Sequence, residues 1–154
     1  MDTNSTAGTD PITTRVVRTV EDGLVEAIDR LVPQIPGTAS APGRWELEQI
    51  LADTGTILIV AESASVIVGM LALVVFRTPT GLSARIDDLV VDDYVELPGV
   101  AERLIRRAMK TSSSRGARTV QVQCPTSTSA VGRMYEELGF ERMSTTAYWY
   151  KLSG

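Results

Sequence analysis

The sequence of 154 residues contains no histidine and a single cysteine, Cys124. Without histidine there is no Ser-His-Asp or Cys-His nucleophile, no imidazole base and no imidazole metal ligand. One cysteine allows neither a disulfide framework within the chain nor a Cys-rich zinc site, and a lone thiol fits a reducing compartment. Basic residues are in deficit: 19 acidic against 15 basic side chains give a net charge of −4 and a sequence pI near 4.9. That balance offers no basic face for a phosphate backbone, so nucleic-acid binding is not expected. Long apolar runs are also missing. The longest, Val66 to Phe76 with Gly69 inside it, is too short to span a bilayer. The opening residues, Met1 to Asp10, lack the basic-then-apolar order of a secretory signal. Together these absences point to a cytoplasmic protein without metal or membrane.

What is present reads as one soluble domain: 44% hydrophobic and 22% charged residues on a chain long enough for a single core. Residues 1–11 are small and polar and read as a disordered tail, leaving 12–154 as the domain. Alternation predicts a first strand over 13–19, and Leu24, Val25, Ile28, Leu31 and Val32 recur at helical spacing up to Pro33. Thr19 and Asp22 have the spacing of a capping pair at the start of that helix. Residues 33–44 hold three prolines and two glycines and form a long loop, either a functional segment or a surface connection. A short helix follows from Trp45 to Ala52, then strands over Thr56–Glu62, Val66–Phe76 and Ala84–Val91. The first two strands read as a hairpin whose turn, Ala64-Ser65, has no glycine to fix its type. After a loop at 92–98, Val100, Ala101, Leu104, Ile105, Ala108 and Met109 trace one face of a helix, with Arg103, Arg106, Arg107 and Lys110 on the other. Thr119 to Cys124 alternates as a strand, Pro125 to Thr128 supply turn and cap residues, and a helix runs through Val131, Met134, Tyr135 and Leu138. Phe140–Met143 and Thr146–Leu152 read as a closing strand pair. Strand–helix–strand units with hairpins predict the α/β class, a mixed sheet with helices on both faces.

Three stretches in this order resemble the GNAT superfamily of N-acetyltransferases: Arg85-Ile-Asp-Asp-Leu-Val-Val-Asp92, Gly99-Val-Ala101 opening a helix that ends in Ser114-Arg-Gly-Ala-Arg118, and Met134-Tyr-Glu-Glu-Leu-Gly-Phe140. The resemblance spans residues 13–152. It implies a GNAT-like fold in which two parallel strands, here those ending at Asp92 and Cys124, splay apart around a phosphopantetheine thioester. The backbone of Leu89, Val90 and Val91 would pair with the pantetheine amides and polarise the thioester carbonyl. Tyr135 matches the family's donor to the departing thiolate; without that role it is a tyrosine packed on the sheet. Asp87 and Asp88 point to opposite faces of a strand, so one of them is the candidate base for the attacking amine. Cys124 reads as a packed thiol, since no base accompanies it.

The family's phosphate loop corresponds to Glu96-Leu97-Pro98-Gly99-Val100-Ala101. Leu97, Gly99, Val100, Ala101 and Glu102 are the residues whose backbone would hold the CoA pyrophosphate at a helix N-terminus. The loop diverges where Glu96 replaces the usual Arg or Gln and Pro98 removes an N–H, with Asp92 and Asp93 adding negative charge nearby. The donor is therefore either acetyl-CoA or another acyl-CoA, or an acyl-carrier protein that meets the basic helix face. The implied activity is acyl transfer to the amine of a small molecule, with the 33–44 loop, Trp45 and the strands around Tyr148 to Tyr150 shaping the acceptor pocket. The alternatives are a non-catalytic module binding a pantetheine arm or partner protein, and an acyltransferase for protein amines. The closing strand pair is a candidate homodimer surface.

Overall fold

The structure, a computed structural model, describes residues 11–38, 40–124 and 129–153. The expected tail, Pro11 apart, and the turn residues Pro125 to Thr128 lie outside the described residues. The chain divides into two compact units, residues 1–123 and 124–154, and each is taken by itself.

The first unit runs β1 (Thr13–Val16), α1 (Asp22–Leu31), a 3-10 turn (Val32–Gln34), α2 (Arg44–Ala52), β2 (Thr56–Ser63), β3 (Val66–Thr78), β4 (Gly81–Val91), α3 (Val100–Ser114) and β5 (Val120–Val122). The sheet order is β1-β2-β3-β4-β5. The first three pairings are antiparallel and β4–β5 is parallel, so this is the mixed α/β sheet that the element order implies. Ala64 and Ser65 take φ +49° and +64°, the positive pair of a type I′ turn, made here without glycine.

The helices bury one face each. Leu24, Ala27, Ile28 and Leu31 of α1 enter the core with Leu47 of α2. Val100, Leu104, Ile105 and Ala108 do so from α3. Gly69 sets the approach of α3 to the sheet. A Cβ there would lie 3.0 Å from Val100 Cγ1, 3.1 Å from the Val90 carbonyl oxygen and 3.2 Å from Leu104 Cδ1. Only a residue without a side chain lets the first turn of the helix settle that close to β3 and β4. On the far side of α3, Arg103 donates to the Ile12 carbonyl at 3.0 Å and Arg107 to the Thr14 carbonyl at 3.4 Å. Both acceptors belong to or adjoin the edge strand β1, so the two arginines cover part of an edge that would otherwise invite pairing.

Several expectations need correction. Thr19 and Asp22 form no capping pair: the N-cap of α1 is Glu21, without a side-chain cap bond, and the Asp22 carboxylate bonds Arg44 at the start of α2 instead. β1 stops at Val16, although the Val17 amide still donates to the Leu58 carbonyl at 2.8 Å. β5 covers only Val120–Val122 and does not reach Cys124.

In the second unit the helix is α4, Ser129–Glu137. Its end is closed by the Phe140 amide donating to the Tyr135 carbonyl at 3.0 Å, a bond across the last turn. That return packs the Phe140 ring edge-on against Tyr135, centroids 5.3 Å apart. The closing strand pair is not formed: residues 140–153 carry no strand, and Tyr148, Trp149 and Tyr150 are 94%, 87% and 84% exposed. Aromatic and β-branched residues fit a pleated surface, but the ladder partner must come from elsewhere in the fold.

Candidate active site

The site begins with an irregularity in β4. Met70 pairs with Val90 and Ala72 pairs with Asp87, so Leu71 alone faces the two residues Asp88 and Leu89. This is a β-bulge, and Asp88 sits in it at φ +52°, a region that aspartate tolerates better than most side chains. The parallel pairing with β5 ends at Ile86↔Val122, while β4 continues five residues further to Val91. The terminal stretch of β4 therefore runs beyond the strand that flanked its first half.

The bulge separates the two aspartates. Asp87 accepts from Arg85 Nε at 2.9 Å, an ion pair along its own strand. Asp88 lines a cavity of about 250 Å³ formed by α1, the 3-10 turn, the 35–42 loop, α2 and the face of β2, β3 and β4. Its walls include Ile28, Val32, Ile35, Leu47, Ile50, Leu58, Met70 and Ala72, and among the described residues lining it Asp88 is the single charged one. Partial burial, and then the neighbouring Asp87, push the Asp88 carboxyl above its ordinary value. The residue remains open to solvent, so the desolvation is incomplete. The long 33–44 loop contributes Ile35, Thr38, Ser40 and Pro42 to this wall. Trp45 is 66% exposed and does not line it; Leu47 and Ile50 of the same helix do.

At the end of β4 the chain is anchored by a buried carboxylate. Asp92 is 4% exposed, accepts from Arg30 Nε at 2.8 Å and from Gln34 Nε2 at 3.3 Å, and takes the Tyr94 amide at 3.1 Å. Burial alone would raise its pKa, but the Tyr94 amide, Arg30 and Gln34 together hold it below the ordinary value. Gln34 Oε1 in turn accepts from the Asp93 amide at 2.9 Å. Asp92 thus adds no free negative charge to the following loop, contrary to the expectation from sequence. Glu96 is exposed. Gly99 is the N-cap of α3 at φ +85°, a left-handed position that favours glycine. The first amide to bond within the helix is that of Arg103, donating to the Gly99 carbonyl at 3.1 Å. The amides of Val100, Ala101 and Glu102 precede it and have no acceptor within the helix, the usual condition of an anion-binding helix start.

Tyr135, in the second unit, has its phenol pushed up to about 12 by burial and then by Cys124. It stays protonated, and so remains a hydrogen-bond donor, across the neutral range. Among the described residues no group of three or more carboxylate or thiol side chains is arranged to hold a metal. No described helix is long and apolar enough to cross a membrane.

Residues 39–149 match the family model described as an acetyltransferase (GNAT) domain. The chain belongs to the GNAT acetyltransferase family. It is an acyltransferase of that family, whose members in general use acetyl-CoA. No curated protein matches the sequence. Similar solved structures include an aminoglycoside acetyltransferase from an uncultured soil metagenomic sample, 21% identical with a TM-score of 0.80, covering 93% of this chain and 99% of that one. Glucosamine-6-phosphate N-acetyltransferase from Arabidopsis thaliana is 18% identical with a TM-score of 0.75, covering 90% and 98%. A transcriptional regulator from Bacillus halodurans C-125 is 22% identical with a TM-score of 0.76, covering 92% and 100%. At these identities the likeness is one of fold.

Of the residues picked from this GNAT domain's sequence, Val90 of β4 and Val100 of α3 meet at Gly69. Asp87 is turned to Arg85. Leu97 stands half-buried in the loop before the helix. The Arg30–Asp92–Gln34 cluster was not picked from the sequence, and of the cavity walls around Asp88 only the 33–44 loop was. Arg30, at the end of an apolar helix face, was the cluster's one visible signal.

Proposed function

We propose that residues 12–154 act as one domain that transfers an acetyl group from acetyl-CoA to the amine of a small molecule by direct attack. The observation that carries this reading is the course of β4. It bulges at Asp88, outruns β5 after Ile86, and ends beside the open amides of the α3 N-terminus. The Asp92 amide donates back to Val68 on β3 at 2.9 Å, so by alternation the backbone of Val91 faces the other side. Among the described residues the ladder with β5 does not extend to this stretch, and such backbone is suited to the pantetheine amides, with Leu89 or Val91 polarising the thioester carbonyl. The amides at Gly99 to Glu102 suit the pyrophosphate, which needs no side chain from the loop.

The chemistry assigned to the chain's own residues is modest. Asp88, which lines the cavity, holds the acceptor's ammonium and takes one proton to free the amine; as the amine attacks the carbonyl carbon, its second proton passes to water. The C–S bond breaks and the thiolate leaves; Tyr135, a phenol protonated across the neutral range, is by its motif the donor proposed for it. The neighbours in fold include enzymes named for aminoglycosides and for glucosamine-6-phosphate, both amines. Acetyl-CoA is preferred to a carrier-protein donor because Arg103 and Arg107, half of the basic helix face, are already engaged by β1. Calorimetric titration with acetyl-CoA, followed by thiol release in the presence of primary amines, tests the reading. Micromolar binding with amine-dependent release supports it. No binding leaves a carrier-protein donor or a domain without catalysis, and binding without turnover of any thioester leaves a pantetheine-binding module instead.

A further inference from the structure

The chemistry of the cavity narrows the acceptor. We infer that the acceptor is a compact primary amine with an apolar body, and that Asp88 selects it by its cation; this rests on the acyltransfer reading above. At about 250 Å³ the cavity has room for on the order of eight waters' share of liquid, which matches an amine of about ten non-hydrogen atoms. Its floor is the hydrophobic core itself: Ile28, Val32, Leu47, Leu58 and Met70 belong to one packed cluster. These walls are held by the fold and do not need a ligand to assemble them. Among the described residues the hydroxyls available are those of Thr38 and Ser40, both on the 35–42 loop, and the one charge is Asp88.

A polyhydroxylated body entering this space would shed its water and find two hydroxyls and a carboxylate in return. Each hydroxyl left unpaired costs about tenfold in affinity. An aliphatic or aromatic body loses nothing of that kind and removes its own apolar surface from water. The carboxylate then supplies discrimination: a cationic head gains an ion pair with charge-assisted hydrogen bonds, whereas a neutral head of the same shape offers Asp88 one ordinary hydrogen bond. The cavity thus reads two properties at once, an apolar body and a positive end.

The test is calorimetric titration of the full chain with 2-phenylethylamine, 2-phenylethanol and glucosamine, each with and without saturating CoA. The expected result is phenylethylamine binding at least tenfold tighter than either of the others. In Asp88→Asn the preference for the amine over the alcohol falls to within about twofold. Ala72→Leu, which fills the cavity from β3, weakens the amine by tenfold or more. Glucosamine binding as tightly as phenylethylamine, the alcohol matching the amine, or no amine binding at all overturns the inference. A parallel titration with acetyl-CoA separates the failures. Acetyl-CoA binding without phenylethylamine binding removes this inference and leaves the acyltransfer reading standing. The reverse result removes that reading and keeps the cavity assignment.

Discussion

Arg30 of α1 and Asp92 at the end of β4 form an ion pair, Nε to Oδ2 at 2.8 Å, and the same guanidinium donates to the Ile67 carbonyl at 2.5 Å. The pair ties the helix that walls the cavity to the point where the chain turns toward the phosphate loop. Arg30→Ala leaves a buried carboxylate with two weaker donors, and we expect a loss of about 2–3 kcal/mol in chemical denaturation. Asp92 has its folded-state pKa lowered, so its contribution is present above the unfolded value and is lost as pH falls toward the folded one. In Arg30→Ala the folded-state value rises toward the unfolded one, so the acid limb of the stability curve flattens and the variant's deficit shrinks as pH falls. An unchanged acid limb would show that the pair does not hold Asp92 ionised.

Asp88 carries the opposite sign. Its folded-state pKa is raised, so the ionised carboxylate costs stability as pH rises through that folded value, a cost absent below the unfolded value. Asp88→Asn should keep or gain stability at neutral pH while kcat/KM with an amine falls by about 10²-fold. In the native protein, activity should decline as pH falls through the raised folded-state value of Asp88. A variant that loses stability together with activity would make Asp88 structural.

Gly69→Ala tests the approach of α3. The added Cβ meets Val100, Leu104 and the Val90 carbonyl at 3.0 to 3.2 Å, where backbone has little room to yield. We expect about 1–3 kcal/mol of destabilisation by overpacking, with weaker acetyl-CoA binding as the helix start shifts. Melting temperature and titration together check it.

Glu96 is exposed, so its charge acts on a bound pyrophosphate mainly through solvent. Glu96→Arg should tighten acetyl-CoA by about fivefold at low salt, from roughly 1 kcal/mol per close charge contact in water, and the gain should fade in high salt. Unchanged affinity would mean that the Gly99–Glu102 amides set binding without it.

Tyr135→Phe keeps the ring against Phe140 and removes the donor. The expectation is a kcat lower by about 10- to 10²-fold with stability nearly unchanged. Burial holds the phenol at about 12, so no limb of the activity profile near neutral pH should belong to Tyr135. A neutral limb that vanishes in the Phe variant would contradict this.

Much of the GNAT domain was legible along the chain because its elements carry their own periodicity. The run Thr56–Ser63, the amphipathic α3 and the short α2 emerge within two or three residues of their reading. The closing strands did not emerge, because Tyr148 to Tyr150 have strand propensity and no ladder here. The Thr19–Asp22 cap failed because Asp22 found Arg44, a residue 22 positions away. The site was half legible. Asp87 and Asp88 could be named as a pair, yet neither could be chosen.

The sequence by itself determined the class of the protein: no histidine, one thiol, an acidic balance, and the motifs at 85–92, 99–101 and 134–140 that belong to acyltransferases of this fold. Tertiary structure decided which aspartate faces the cavity, because a bulge inverts the strict alternation from which sequence argues. It also decided that Asp92 is neutralised by Arg30, 62 residues away, and that Gly69 seats the helix start. Composition and period are local properties. The charge state and direction of a side chain depend on what distant segments the fold sets beside it.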